Sequence, residues 1–351
     1  MNPASELLLD ESDRLAAARW LVTGGEADLV AGLQDADSSR IVTWQPTDIR
    51  ELRSPVVPAS IRIETPGTVV GDLANGIDVV VLPMPPDRQL SQWWLSLAAA
   101  RLRTNGSLLV AGANAEGIRS GLADARSLFG PPVQERYGRK QRIARFDVGD
   151  ASRLEPLWPF TIDRPGPKVT WDDRGVERAV VSQPGVFASD RLDGGTRLLL
   201  EALPATVGGT VIDVGCGAGV IGFTCAWRGA DQVDLVDVNL LAIQTVERNL
   251  GQPGLERCWV LASDVYGGVS DRRYDLIVSN PPFHRGKAVD LSVADRLIDE
   301  APRHLAPGGA LLVVANAFLA YGKRMERVFG RVETVAATRQ FHVLRASDPL
   351  A

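Results

Sequence analysis

From residue 210 onward one pattern recurs at short intervals and limits the folds open to this chain. A nearly continuous apolar run is followed by an amphipathic stretch and then by the next apolar run: TVIDVGCG (210–217), GVIGFTCAWRG (219–229), QVDLVDVN (232–239), LLAIQTVERNL (240–250), then YDLIVSNPPF (274–283) and GALLVVANA (309–317). Strands that are apolar on both faces must be covered on both sides, and amphipathic helices between them supply the cover. The expected fold is therefore α/β, a doubly wound and mainly parallel sheet, in which ligands bind beyond the carboxyl ends of the strands.

The pattern recurs more faintly about 200 residues earlier. IDVVVLPMPP (77–86) parallels YDLIVSNPPF, NGSLLVAGAN (105–114) parallels GGALLVVANA, SLFG (127–130) parallels RVFG (327–330), and GRKQRIARF parallels TRQFHVLRA. These pairs keep one order, so a duplication is the reading. With 351 residues the chain has room for two such domains. We expect a degenerate domain at 1–150, a linker and β-hairpin at 151–183 turning near Asp172–Gly175, and a working domain at 184–351. In the alignment of the halves Val22 stands opposite Asp213, Glu26 opposite Gly217, Gln45 opposite Asp237 and Pro83 opposite Asn280. A cofactor site is expected in the second half alone.

Composition narrows the partners. Apolar residues make up 45% and charged residues 23%, an ordinary globular balance. The N-terminus lacks the basic and apolar regions of a secretory signal, and no run reaches the ~18 apolar residues of a membrane helix. A cytoplasmic protein with no membrane partner is expected. Cys216, Cys225 and Cys258 form no CxxC pair, so the thiols should be free and no metal is expected. A net charge of −5 argues against non-specific coating of nucleic acid. The segment Arg136, Arg139, Lys140, Arg142, Arg145 is a local exception. The group Lys323, Arg324, Arg327, Arg331 is interleaved with Glu326 and Glu333 and reads as a solvated face.

Two elements carry chemistry. Asp213-Val-Gly-Cys-Gly-Ala-Gly219 follows a strand and opens a helix, so its glycines let a ligand approach backbone while the helix N-terminus offers N–H groups. Asp237 ends the next strand, at the ~20-residue spacing where an acid accepts ribose hydroxyls. S-adenosylmethionine and NAD both carry such a ribose, and Asp213 suits a cationic methionine portion. The second element is Ser279-Asn-Pro-Pro-Phe283 at a strand end. A nucleobase amino nitrogen is a poor nucleophile because its lone pair is delocalised. The Asn280 side-chain oxygen and the Pro281 carbonyl would hold the two amino hydrogens and favour a pyramidal nitrogen, and Phe283 would stack on the flipped base. Arg285 and Lys287 are candidate phosphate contacts, as are Arg139, Lys140 and Arg142. His284 is not needed as a base, because the methylated nitrogen is acidic enough to lose its proton to water. His304 and His342 lack ligand-spaced partners.

With these motifs in view, the sequence resembles the small-subunit ribosomal RNA guanine-N2 methyltransferases, with the related large-subunit enzymes close behind. The resemblance runs through PASELLL, GIRS, PGVFASDRLDGGTRLLL (184–200), DVGCGAGV, SNPPFHRG, VANAFLAY and QFHVLRA. It implies two tandem Rossmann-like class I methyltransferase domains, the first without cofactor, acting on ribosomal RNA or the small ribosomal subunit; a monomer is expected. It also implies S-adenosylmethionine contacts for Asp213, Gly215, Gly217, Asp237, Asp264 and Asn280, and base contacts for Asn280, Pro281 and Phe283. Gly194-Gly195-Thr196 departs from the family pattern, which more often has a hydroxyl residue after a single glycine. The motifs themselves leave other amino acceptors open: an adenine, a 23S guanine, or a protein glutamine. A non-catalytic RNA-binding assembly protein would have lost the cofactor residues in both halves, and a dinucleotide oxidoreductase leaves NPPF unexplained.

Overall fold

A computed structural model describes residues 2–15, 17–37, 40–64, 76–138, 140–151, 154, 166–282, 284–285, 288–289 and 291–350. The chain divides into two units, Met1–Pro165 and Gly166–Ala351. In the first, the helices are α1 (Pro3–Ser12), α2 (Ala27–Ala36), α3 (Ile49–Leu52), α4 (Arg88–Arg101) and α5 (Ile118–Phe129). Its strands are β1 (Arg19–Thr23), β2 (Ile41–Gln45), β3 (Arg62–Ile63), β4 (Ile77–Pro83), β5 (Leu102–Ala113), β6 (Gln134–Gly138) and β7 (Gln141–Asp147). They form a sheet in the order β3-β2-β1-β4-β5-β7-β6, parallel up to β5 and antiparallel beyond it.

The second unit opens with the hairpin β8 (Lys168–Asp173) and β9 (Val176–Val181), which turns through Arg174 and Gly175, both at positive φ. Then follow α6 (Gly194–Ala202), β10 (Thr210–Val214), α7 (Val220–Trp227), β11 (Gln232–Asp237), α8 (Leu240–Asn249), β12 (Cys258–Ala262) and β13 (Tyr274–Ser279). The chain ends through β14 (His284–Arg285), β15 (Ala288–Val289), α9 (Ser292–His304), β16 (Leu305–Asn316), α10 (Tyr321–Met325), β17 (Phe329–Ala337) and β18 (Phe341–Pro349). The main sheet runs β12-β11-β10-β13-β16-β18-β17, the same order as in the first unit. In each unit the order reverses beside the first strand, at β1/β4 and at β10/β13, which is where such sheets open a crevice.

The apolar pattern explains the layers. In α9 the buried residues Ala294, Leu297, Ile298 and Ala301 recur at helical spacing, with charged residues between them. They pack on Ile212, Ile277 and Leu311 of the sheet. Trp20, Leu29, Trp44 and Leu109 form the corresponding core of the first unit. Side-chain caps at Asn2, Asp87, Asp193 and Asn239 begin four of the helices. The hairpin is tied to its own unit. Asp173 and Arg228 form a buried pair at 2.6 Å, and the Asn249 side chain bonds both the N–H and the carbonyl of Val181. Among the described residues no helix is long and apolar enough to cross a membrane.

The two ladders correct one alignment made from the sequence. Thr23 pairs with Gln45 in the first unit and Val214 with Val236 in the second. Gly24 N–H bonds the Gln45 carbonyl just as Gly215 N–H bonds that of Val236. Gln45 thus corresponds to Val236, and Pro46, not Gln45, stands where Asp237 does. Matching one polar strand-end residue to another had slipped the register by one, which apolar runs alone do not fix. Val22 does occupy the place of Asp213, through Val22–Val81 and Asp213–Val278 pairing. In the first unit Glu51 accepts the Ala27 N–H at 2.9 Å, and Glu26 accepts that of Asn2 at 3.1 Å.

Candidate active site

The β10–α7 loop leaves the sheet at the reversal point. Gly215, Gly217 and Gly219 all have positive φ, at 73°, 53° and 83°. A Cβ built on Gly215 or Gly217 would meet nothing within 4 Å, so the loop backbone faces open space. Asp237, at the end of β11, braces this loop: its carboxylate accepts the Gly217 N–H at 2.9 Å and the Asn239 N–H at 2.8 Å. Asp213 lies beneath the loop rather than in the cleft. It is 0% exposed, and its Oδ2 accepts the Gly222 N–H of α7 at 2.8 Å. Its Oδ1 has no hydrogen-bond partner among the described residues. Burial, followed by the charge of Asp237, pushes the Asp213 carboxyl up to about 7, against the opposing pull of the Gly222 N–H. Cys216, in the same loop, is buried, and burial raises its thiol well above the ordinary range.

Asn280 follows β13 across the cleft from this loop, and the two line the same opening with Asp193, Thr196 and Phe187. The strand end is anchored by Ser279, whose hydroxyl donates to the Val214 carbonyl at 2.7 Å. The Asn280 Nδ2 donates to Asp193 Oδ2 at 3.1 Å and to Thr196 Oγ1 at 3.0 Å. Both amide hydrogens are thereby engaged, and the amide oxygen is left as the acceptor it presents. Pro281 is buried behind it and Pro282 is exposed. A group with an N–H hydrogen could meet the Asn280 amide oxygen here.

Other predicted residues are placed differently. Asp264 lies two residues beyond the end of β12 and forms an ion pair with Arg296 of α9 at 2.9 Å. Phe283, Lys287 and Arg139 lie outside the described residues. His284 and Arg285 form the short strand β14. The basic segment of the first unit is largely engaged within that unit. Arg136 and Arg145 both pair with Glu11, which is 1% exposed, at 2.5 and 3.4 Å. Arg142 bonds Glu135 and Asn114, while Lys140 is exposed on the β6–β7 turn. Arg324 pairs with Asp295 and Asp299. His304 is buried, stacked on Tyr266 with ring centroids 4.2 Å apart.

The sequence reading had not assigned Asp193, Thr196 or Phe187 to the site. Asp193 caps α6 in the structure, and nothing in the sequence links it to Asn280. Phe187 is 64% exposed at the cleft, which only the fold reveals.

Comparison with known proteins agrees with this architecture. Residues 177–345 match the methyltransferase small domain, and residues 5–131 match the methyltransferase small domain N-terminal. The ribosomal RNA small subunit methyltransferase C of Photorhabdus laumondii is 32% identical, over 99% of this chain and 98% of its own. That of Escherichia coli is 34% identical, over 98% and 96%. Among solved structures, the T. thermophilus 16S rRNA N2 G1207 methyltransferase in complex with AdoMet and guanosine superposes with a TM-score of 0.82 at 28% identity. That match covers 99% of this chain and 92% of the other.

Proposed function

Because the chain belongs to the ribosomal RNA small subunit methyltransferase C family, we propose that its second unit methylates the exocyclic N2 amino group of a guanine in 16S ribosomal RNA, using S-adenosylmethionine. When bound, this cofactor supplies a methyl group on a cationic sulfonium. Two features suit it: the open backbone at Gly215 and Gly217, and beneath that loop the buried Asp213 Oδ1 without a partner among the described residues. Gly215 and Gly217 would bear on it, Asp237 would accept its ribose hydroxyls in addition to bracing the loop, and Asp264 would accept from its adenine amino group. Asp213 would supply negative charge beneath its methionine portion.

The observation that carries the reading is the orientation of the Asn280 amide, whose hydrogens are both engaged by the protein. Its oxygen and the Pro281 carbonyl accept the two amino hydrogens of the base. This draws the nitrogen lone pair out of conjugation and holds it facing the methyl group. Transfer of the methyl group to this nitrogen would break the sulfonium–methyl bond as the C–N bond forms, leave the cofactor as a neutral thioether, and make the nitrogen cationic, so that one of its protons would pass to water. Phe283 stacks on the flipped guanine, and Arg285 and Lys287 hold phosphates. The N-terminal unit, residues 1–150 in this reading, serves as an RNA-holding surface through Arg139, Lys140 and Arg142. The relatives' names favour guanine over the other amino acceptors. We read the working form as a monomer, since every residue assigned to the chemistry comes from one unit, and as cytoplasmic, in keeping with a ribosomal RNA substrate.

Replacing Asn280 by Ala tests the reading. Turnover should fall by about 10²–10³, the usual effect of removing one preorganised polar group that faces a transition state, with a much smaller change in cofactor affinity. Near-normal turnover would remove the clamp.

A further inference from the structure

An asparagine amide is useful as an acceptor only if it is held the right way round. Turned by half a revolution, Asn280 would offer its NH2 to the amino group of the base, donor against donor. We infer that Asp193 and Thr196 are positioning residues that fix this orientation, an inference that rests on the reading of Asn280 as the acceptor for the amino group. The Nδ2 donates to Asp193 Oδ2 at 3.1 Å and to Thr196 Oγ1 at 3.0 Å. The two partners do different things. A hydroxyl can donate or accept, so Thr196 holds either orientation, whereas a carboxylate only accepts. Asp193 therefore selects the orientation, and Thr196 engages the second hydrogen and tightens it.

The selector is itself fixed. As N-cap of α6, Asp193 Oδ2 also accepts the Gly195 N–H at 2.8 Å and the Thr196 N–H at 3.0 Å. Its position relative to Asn280 is thus set by the first turn of the helix. The departure at Gly194-Gly195 fits the same arrangement. A Cβ on Gly195 would lie 3.1 Å from Asp193 Oδ2 and 3.3 Å from the Phe341 ring, and one on Gly194 would lie 3.2 Å from that ring. Phe341 packs closely against the start of α6 where neither residue carries a side chain. The sequence blocks DGGT and NPP thus meet at one amide, and QFH packs against the glycines of the first.

The test uses the full chain with S-adenosylmethionine and small-subunit RNA. Thr196→Val replaces the hydroxyl by a methyl group of the same shape. We expect kcat to fall about tenfold, the effect of one missing hydrogen bond, with KM for RNA and Kd for cofactor within about twofold of the parent. Thr196→Ser should restore kcat. Asp193→Asn, which keeps a capping oxygen but can present either group to Asn280, should lower kcat without weakening the cofactor. The discriminating arm is the double variant: with Asn280 already Ala, Thr196→Val should cost nothing further, since it acts only through that amide. An equal further loss in the Asn280→Ala background, or no rescue by Ser, would show a merely structural role and overturn the inference. So would normal turnover of Thr196→Val beside an impaired Asn280→Ala. Normal turnover of Asn280→Ala alone would overturn the acceptor reading, and this inference with it.

Discussion

Asp213 gives the loop a pH dependence that can be worked out from its surroundings. Its carboxyl is unexposed, holds one backbone N–H and has one oxygen without a partner. Burial raises it from the ordinary 3.8 to about 7, which at ~1.4 kcal/mol per tenfold change in proton affinity amounts to about 4 kcal/mol. The folded state therefore binds the proton more tightly than the unfolded state. The resulting stability is fully present below 3.8 and is lost as pH rises through about 7. About 2–3 kcal/mol of that loss falls between pH 5 and pH 8. Asp213→Asn keeps the shape and the acceptor toward Gly222 but cannot titrate. Its new NH2 lacks a partner at every pH, so the informative quantity is the change with pH in the stability difference between parent and variant. Urea unfolding followed by tryptophan fluorescence should show that difference moving in favour of the variant by about 2–3 kcal/mol from pH 5 to pH 8. Affinity for cationic S-adenosylmethionine should rise with pH through about 7 in the parent and stay low and flat in the variant. A stability difference that is the same at both pH values would refute the reasoning, because Asp213 would then titrate like an exposed acid.

Two further outcomes follow from the site and the first unit. Gly217→Ala places a Cβ at φ 53° in the open space beside the loop. The left-handed L-residue should lower stability by ~1–2 kcal/mol, and its methyl group, standing in the space the cofactor would approach, should weaken cofactor binding in calorimetry; unaltered affinity would mean the cofactor does not approach this backbone. Replacing Arg139, Lys140 and Arg142 together by Ala leaves the Glu11 pairs with Arg136 and Arg145 intact, so the unit should stay folded. RNA binding should weaken, and its log–log salt slope should flatten by about one for each phosphate no longer neutralised. Unchanged affinity and slope would move the phosphate-binding residues elsewhere.

How much of this was legible in the sequence depended on the range of the interactions. The sheet, the glycine loop and the Asp213 and Asn280 positions could be read because apolar period and strand-end motifs are local. The Asp193–Asn280 bond spans 87 residues and the Thr196–Asn280 bond 84, and no local pattern reports such pairings. The same holds for the basic segment. Five cations in ten residues suggested a free patch, but Arg136 and Arg145 meet Glu11 from 125 and 134 residues away. Charge in sequence gives the residue and not its partner. The resemblance implies a cofactor contact for Asp264, and no local pattern reports its pairing with Arg296, 32 residues on. Asp213 was expected to face the ligand, but close packing of α7 on β10 and β11, where a Cβ on Gly222 would come within 2.8 Å of Leu235, seals its carboxyl beneath the loop.

The most direct test of the central claim is to incubate the purified chain with methyl-labelled S-adenosylmethionine and small-subunit ribosomal RNA, free or assembled, and to identify the labelled nucleoside by mass spectrometry after digestion. The account predicts label in N2-methylguanosine, with the signal largely abolished by Asn280→Ala. Label in an adenosine or in a protein glutamine, or no transfer to RNA by a protein that binds the cofactor, would contradict it.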